Sequence, residues 1–111
     1  MKISILLPYK ENFSLNKSGA VSLFVNDVIK NSPQKKNIYV YGKTDENNYL
    51  DKNYINLNFK EKFLKSNSKV YINNFLKHEE KDNSDIIEVH NRPAYIDLIS
   101  KNTKSKIILY F

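Results

Sequence analysis

SDIIEVHNRPAYIDLI, residues 84–99, joins an apolar run to the scarcest polar side chains of the chain. Arg92 is the only arginine among the 111 residues, and His90 is one of two histidines. The part DIIEVH predicts a buried strand, and RPAYIDLISKN (residues 92–102) predicts a helix with Pro93 in its first turn. The stretch is therefore a strand–loop–helix unit whose rare polar groups follow the carboxyl end of the strand.

The same alternation of strands and helices continues along the rest of the chain. Apolar, β-branched and aromatic runs predict four further strands at KISILLP (2–8), NIYVYG (37–42), NYINLNF (53–59) and KIILYF (106–111). Helices are predicted at GAVSLFVNDVIKNS (19–32) and SNSKVYINNFLKHEEK (66–81), with one more helical turn at FKEKFLK (59–65). A strand at KVYIN (69–73) competes with the second helix. This alternation predicts an α/β fold, with a parallel sheet of about five strands flanked by helices and joined by right-handed crossovers.

The two long helices are expected to turn one apolar side each towards the sheet. Ser18 is the expected N-cap of the first helix, because its hydroxyl can accept a hydrogen bond from a free backbone N–H group. The residues expected to face inward are Ala20, Val21, Phe24, Val25, Val28 and Ile29 in the first helix, and Val70, Tyr71, Phe75 and Leu76 in the second.

The length and composition suit one domain, residues 1–111, with a modest core. No cysteine occurs, which excludes disulfides, thiolate metal sites and a cysteine nucleophile, and fits a reducing cytoplasm. No apolar run approaches the roughly 20 residues of a membrane span. The chain ends at Phe111, in a predicted apolar strand. We therefore expect either the front part of a longer protein or a partner that covers this edge.

The formal net charge of +6 raises the question of an acidic partner. The lysines are scattered and share the chain with 12 acidic residues, whereas nucleic-acid readers cluster their basic residues and favour arginine. We interpret the charge as a solvated surface and expect no nucleic-acid partner. Weak attraction to anionic lipid remains a secondary expectation.

Gly19 opens the first helix, after the polar loop YKENFSLNKS (9–18). Ligands of open parallel sheets bind beyond the carboxyl ends of the strands, where the strand order reverses. A helix that begins there offers free N–H groups to an anion, and the missing side chain of a glycine lets a phosphate or a sugar approach the backbone. The alternative is that Gly19 only relieves a turn, because neither GxGxxG nor a Walker lysine accompanies it.

His90 ends the fourth predicted strand and is expected to face the same crevice. Its imidazole can donate or accept a hydrogen bond near neutral pH. Glu88 lies on the same strand face and could orient that ring, or it could pair with Arg92, whose guanidinium fork suits phosphate or carboxylate. The alternative is a local Glu–Arg ion pair beside an ordinary loop histidine. His78 is expected to be an exposed helix residue, and HEEK lacks the second histidine of a metalloprotease helix, so no metal site is predicted.

Two of these segments together resemble a known family. LLPYKENFSLNKSGAVSLFVNDV (6–28) and DIIEVHNRPAYIDLI (85–99) are similar to the first strand, loop and helix, and to the fourth strand and next helix, of the N-terminal domain of family 4 glycosyltransferases. Those enzymes are retaining transferases with two facing Rossmann-like domains, the GT-B arrangement. The resemblance covers nearly the whole chain and implies a Rossmann-like fold for it.

The resemblance also implies roles for particular residues. Gly19 and Ala20 would lie against the donor phosphates or the acceptor in the cleft between the domains. His90 would hydrogen-bond the transferred sugar or the acceptor, while Asn91 and Arg92 would shape the acceptor side. His90 need not act as a general base, because the leaving diphosphate commonly helps to remove the acceptor proton in this family.

The same resemblance implies the partners of the chain. A nucleotide sugar would be the donor substrate, a glycan or a lipid-linked sugar would be the acceptor, and neither a cofactor nor a metal would be needed. The setting would be cell-envelope polysaccharide synthesis in the cytoplasm, with peripheral association at the inner membrane. The donor-binding domain with its paired glutamates is not within these 111 residues. It would act in cis or in trans, and this chain alone is expected to show no transfer.

Two other functions remain open from the sequence. One is a non-catalytic Rossmann-like module that binds an anionic or sugar ligand in the same crevice. The other is a basic protein that binds nucleic acid or a membrane surface, for which binding would weaken steeply with salt and survive Arg92→Ala.

Overall fold

The computed structural model describes residues 1–61 and 66–111 of the chain. The strands are β1 (Ile3–Leu6), β2 (Ile38–Gly42), β3 (Tyr54–Asn56), β4 (Ile86–His90) and β5 (Lys106–Tyr110). The helices are α1 (Ala20–Lys30), α2 (Asn67–Lys81) and α3 (Tyr95–Asn102), with a short 3-10 turn at Lys35–Asn37 before β2.

The five strands form one parallel sheet in the order β3-β2-β1-β4-β5. β1 is central, with Ile3 opposite Ile38 of β2 on one side and opposite Ile86 of β4 on the other. The chain moves outward from β1 to β3, then returns beside β1 and moves outward again to β5. The order therefore reverses between β1 and β4, as in Rossmann-like sheets, and the predicted α/β fold class is confirmed.

The sheet has two unequal faces, which follow from the alternation of side chains along each strand. Ser4 and Leu6 of β1 point towards α2 and α3, whose core contains Tyr71, Phe75 and Ile99; we call this side the α2–α3 face. The opposite side, the α1 face, packs Val25 and Ile29 of α1 against a second core. The strand residues of that second core are Ile3, Ile5, Ile38, Val40 and Tyr54. Within the described residues, one helix covers the α1 face and two cover the other.

The predicted inward stripe of α1 is partly wrong. Val25 and Ile29 are buried as predicted, but Phe24 is 55% exposed and Val28 is 47% exposed. The helix instead buries the polar residues Ser22 and Asn26 on the same side as Val25. Because this side is a mixture of polar and apolar residues, a stripe drawn through the apolar residues alone is rotated away from the true contact side.

The other helix predictions differ in outcome. α2 is a helix as predicted, and the competing strand at 69–73 is not formed. Its N-cap is Ser66, whose hydroxyl accepts from the Lys69 N–H. Tyr71, Phe75 and Leu76 are buried as predicted, whereas Val70 is only half-buried.

Two further predictions concern the position of Pro93 and the helical turn at 59–65. Pro93 lies in a turn before α3, not in its first turn, because the helix begins at Tyr95. The backbone N–H groups of Tyr95 and Ile96 donate to the carbonyls of Arg92 and Pro93, which makes the turn. Residues 62–65 of the predicted helical turn at 59–65 lie outside the described residues.

Candidate functional site

A hollow opens at the carboxyl ends of β4 and β5, beside the first turns of α1. Its volume is about 250 Å³. We call it the switch-point hollow, because it adjoins the place where the strand order reverses. It is lined by Ala20, Val21, Phe24, His90, Asn91, Tyr110 and Phe111. A smaller hollow of about 60 Å³ continues from it along the α1 face towards Glu88 and shares Phe24, His90 and Tyr110 with it.

His90 forms the floor between these two hollows. As the last residue of β4 on the α1 face, it lies directly opposite Tyr110 of β5. The two rings stack with centroids 4.9 Å apart and an interplanar angle of 7°, and Phe24 lies tilted against the imidazole at 6.4 Å. The imidazole is therefore fixed by strand register and aromatic packing, and His90 is only 5% exposed.

The polar atoms of His90 are less well satisfied than its ring faces. Its Nε2 is buried and lacks a hydrogen-bond partner among the described residues. Oε1 of Glu88 lies 3.5 Å from it. Buried polar groups without a partner are uncommon in folded proteins, and a bound ligand or an ordered water would satisfy this one.

Two roles are predicted for Glu88: it orients the ring of His90 or it pairs with Arg92. In the structure Glu88 lies beside His90 and not beside Arg92. The Arg92 guanidinium donates to the backbone carbonyl of Asn91 at 2.7 Å, and its side chain is exposed outside the hollow. Asn91 has a left-handed φ of 55°, and its N–H donates to the Tyr110 carbonyl at 2.7 Å. This turn directs the chain away from the sheet and sets Asn91 at the rim.

A second left-handed residue, Lys10 with φ 71°, lies in the loop that follows β1. Non-glycine residues in this region of conformational space carry strain, and such residues concentrate at binding sites. Both strained residues follow strands at the switch point. Their position supports a functional interpretation of this edge of the sheet.

Gly19 has a different environment from the one predicted. It is the N-cap of α1, so the prediction of Ser18 as N-cap is wrong. The Oε2 atom of Glu11 accepts a hydrogen bond from the Ser22 N–H at 3.1 Å. A Cβ atom at position 19 would lie 2.8 Å from Oε1 of Glu11. The close approach that the glycine permits is therefore made by a carboxylate of the chain itself.

The predicted site residues are thus brought together in part. Ala20, His90 and Asn91 share the switch-point hollow, and Glu88 lines the smaller hollow that adjoins it. Gly19 precedes Ala20 at the same edge of the sheet but is absent from the described lining, and so is Arg92. Glu11 was missed by sequence reasoning. The signal for it was an acidic residue in the loop after β1, together with the lack of any acid in the first turn of α1.

Other features of the described residues give less indication of a functional site. A hollow of about 670 Å³ is open and polar and lies at the opposite ends of β4 and β5. Within residues 1–61 and 66–111, no group of three or more His, Asp or Glu side chains is arranged to hold a metal ion. Among the described helices none has the length and apolar character needed to cross a membrane.

Comparison of the chain with protein-family models, with curated proteins and with solved structures gives no match. The geometry of the switch-point hollow and the residues that line it are therefore what indicate a function for the chain.

Proposed function

We propose that this chain is the acceptor-side domain of a GT-B glycosyltransferase of the family 4 type, and that the switch-point hollow binds a sugar of the acceptor. The observation that supports this most is His90, a buried histidine with an unsatisfied ring nitrogen among the described residues, held between aromatic rings where the strand order reverses. Ligand sites of open parallel sheets occur at such a point.

The hollow has the chemical character that sugar binding requires. Tyr110, Phe24 and Phe111 present aromatic surface, on which the C–H faces of a pyranose ring can pack. The imidazole of His90 and the amide of Asn91 supply the few polar groups that fix the orientation of the hydroxyls. Glu88 lies 3.5 Å from the Nε2 atom of His90 and adds a carboxylate acceptor beside the hollow.

Transfer would need a domain that binds the nucleotide sugar, in cis or in trans. In the proposed reaction the glycosidic bond to the departing diphosphate breaks and a bond to an acceptor hydroxyl forms, with retention at the sugar carbon. His90 would position the sugar by hydrogen bonding, and the leaving phosphate would take part in removing the hydroxyl proton. Cell-envelope polysaccharide synthesis at the cytoplasmic side of a membrane is the setting that this proposal favours.

The test is a titration of the ¹⁵N-labelled chain with methyl α-glucoside, followed by amide NMR. We expect the largest shifts at Ala20, His90, Asn91 and Tyr110, and their loss in His90→Ala. His78→Ala is the matched control, because the other histidine is exposed on α2 and lies outside the hollow. Circular dichroism would verify that both variants keep the fold.

The catalytic part of the proposal is tested in a protein that also carries the donor-binding domain. There His90→Ala should lower the transfer rate by about 10²-fold or more, the effect of removing one preorganised polar contact in a transition state. His78→Ala should leave the rate unchanged. A wild-type rate in His90→Ala would refute the role assigned to His90, and shifts confined to another surface would refute the site.

A second candidate, a non-catalytic module that binds a sugar, is favoured by Glu11. The glutamate already occupies the N-terminus of α1, where a donor phosphate would otherwise lie. Both candidates predict sugar binding in the switch-point hollow. They differ in that the module would show no transfer from a nucleotide sugar in any protein that contains it.

A further inference from the structure

The carboxylate of Glu11 acts as a built-in anion at the N-terminus of α1. Its Oε2 accepts from the N–H of Ser22, the third residue of the helix, at 3.1 Å. The first turn of α1 contains no acidic residue, and its N-cap, Gly19, has no side chain that could accept a hydrogen bond from the free N–H groups. Glu11 therefore supplies, from a distance of eight residues before Gly19, the negative charge that a helix N-terminus attracts.

The backbone around Glu11 and Gly19 is arranged for this contact. Gly19 has φ −86°, which any residue can adopt, so its conformation does not require a glycine. The missing side chain does leave room for Glu11, because a Cβ at position 19 would lie 2.8 Å from Oε1 and 2.9 Å from Cδ of Glu11 and the carboxylate would have to move. On the other side, the N–H of Glu11 donates to the carbonyl of Pro8 at 3.0 Å, in the turn that contains Lys10 in its left-handed conformation.

The charges near the switch-point hollow are unlike those of the chain as a whole. The chain has a net charge of +6, yet the described residues that line the hollow include no lysine and no arginine. Two carboxylates border it: Glu11 is bonded to the N–H of Ser22 in α1, and Glu88 lies beside His90. Arg92 donates to the Asn91 carbonyl and lies outside the hollow. Local charge therefore opposes an anionic ligand.

We propose that Glu11 determines specificity, by closing the N-terminus of α1 to anionic ligands and leaving the switch-point hollow to uncharged, hydroxyl-bearing sugars. The exclusion of anions stands on the contact between Glu11, Ser22 and Gly19 alone. The identification of the accepted ligand as an uncharged sugar rests on the proposed function.

Inorganic phosphate is the probe of the exclusion, titrated into the ¹⁵N-labelled chain at constant ionic strength. We expect little response at the amides of Gly19, Ala20 and Ser22 in the wild type. Glu11→Ala vacates the N–H groups, and phosphate should then shift those amides with an affinity about ten-fold or more above that of the wild type. Glu11→Gln keeps an oxygen acceptor in place and removes only the charge, so its gain should be smaller.

The matched controls are Glu80→Ala and Glu80→Gln, which change the net charge equally at an exposed position of α2. An equal phosphate affinity for wild type and Glu11→Ala would overturn the proposal. So would a gain in Glu80→Ala as large as that in Glu11→Ala, since that would be an effect of net charge. Should Glu11→Ala not fold, Glu11→Gln decides: tighter phosphate binding than in wild type and Glu80→Gln supports the exclusion, and equal binding refutes it.

A second titration separates this inference from the proposed function. Methyl α-glucoside should shift His90 and Tyr110 in the wild type and equally in Glu11→Gln. Failure of the sugar to bind in either protein, with the phosphate result as expected, would refute the sugar site and leave the exclusion of anions intact. Binding of glucose 1-phosphate by the wild type as tightly as in Glu11→Ala, with shifts at Gly19 and Ser22, would refute the exclusion and leave the sugar site intact.

Discussion

The two faces of the sheet differ in how the buried side chains of Glu79 and His90 are satisfied. On the α2–α3 face, Glu79 is 2% exposed and its carboxylate accepts from the Ser84 N–H at 3.0 Å and from the Ser84 hydroxyl at 2.8 Å. The Tyr71 hydroxyl on the same face donates to the Leu7 carbonyl at 2.6 Å. On the α1 face, the buried atoms His90 Nε2 and Asn26 Oδ1 have no hydrogen-bond partner within the described part of the chain.

Apolar side chains show the same contrast. Phe75 of α2 is fully buried and its ring lies 5.1 Å from that of Tyr41, edge to face. Phe24 of α1 is 55% exposed at the rim of the switch-point hollow. Unsatisfied polar groups and exposed rings reduce stability, and proteins retain them chiefly at functional sites. We infer from this difference that the α2–α3 face contributes more of the stability of this domain, and that the α1 face carries the proposed site.

The largest expected effect tests the apolar half of this comparison. Phe75→Ala should lower the free energy of unfolding by about 3–5 kcal/mol, because it leaves a cavity in a closed core. Phe24→Ala, the same substitution on the other face, should change it by less than about 1 kcal/mol, since the ring is already half in water. Urea unfolding at neutral pH, followed by circular dichroism, measures both. Similar losses in the two variants would break the comparison.

The α2–α3 face is also the part of the fold that the sequence predicts well. Tyr71, Phe75 and Leu76 recur at helical spacing with no buried polar residue between them, and the buried Glu79 follows them, so the apolar pattern and the contact side coincide. β1 and β2 are equally evident, because strands buried on both faces of a parallel sheet are nearly continuous apolar runs. The fold class follows from these two signals.

The α1 face could be predicted only in part, and the reason is physical. Ser22 and Asn26 occupy the inner side of α1 while Phe24 and Val28 point outward, so a rule that places apolar residues inside gives the wrong side. A helix beside a binding site keeps apolar surface for a ligand or a partner, and its periodicity then reports function as well as packing.

The candidate site likewise contains residues that the sequence predicts and residues that it does not. His90 was predictable because it ends a strand, and the carboxyl end of a parallel strand has a fixed place in the fold. The contact of Glu11 with Ser22 was not, since it spans a loop whose path depends on the left-handed turn at Lys10. No periodicity extends across such a loop. An acid in the loop and none in the first turn of α1 indicate that a cap is missing, but they do not fix which residue supplies it.

The next expected effect tests the polar half of the comparison. Glu79→Ala removes the acceptor of the buried Ser84 N–H and hydroxyl, and should lower the free energy of unfolding by about 1–3 kcal/mol. Glu80→Ala, at the neighbouring exposed position of α2, should change it by less than about 0.5 kcal/mol. The same urea experiment measures the pair. A loss in Glu79→Ala no greater than in Glu80→Ala would mean that the carboxylate network adds no stability to this face.

The smallest expected effect on the free energy of unfolding at neutral pH concerns Tyr71. This effect becomes larger at alkaline pH. Burial raises the pKa of the Tyr71 hydroxyl well above its usual value of 10.0. The unfolded chain loses this proton near pH 10 while the folded chain retains it. The stability from this group is therefore fully present below pH 10 and is lost as the pH rises towards the folded-state pKa, at about 1.4 kcal/mol per pH unit.

Tyr71→Phe should lower the free energy of unfolding by about 1 kcal/mol at pH 7, through loss of the bond to Leu7. It should also make the decline in stability above pH 10 shallower by that slope. Tyr110→Phe in the hollow is the control at pH 7, where a change below about 0.5 kcal/mol is expected. If Tyr71→Phe declines between pH 10 and 11 as steeply as the wild type, the α2–α3 face is open to water in a way that its packing contradicts.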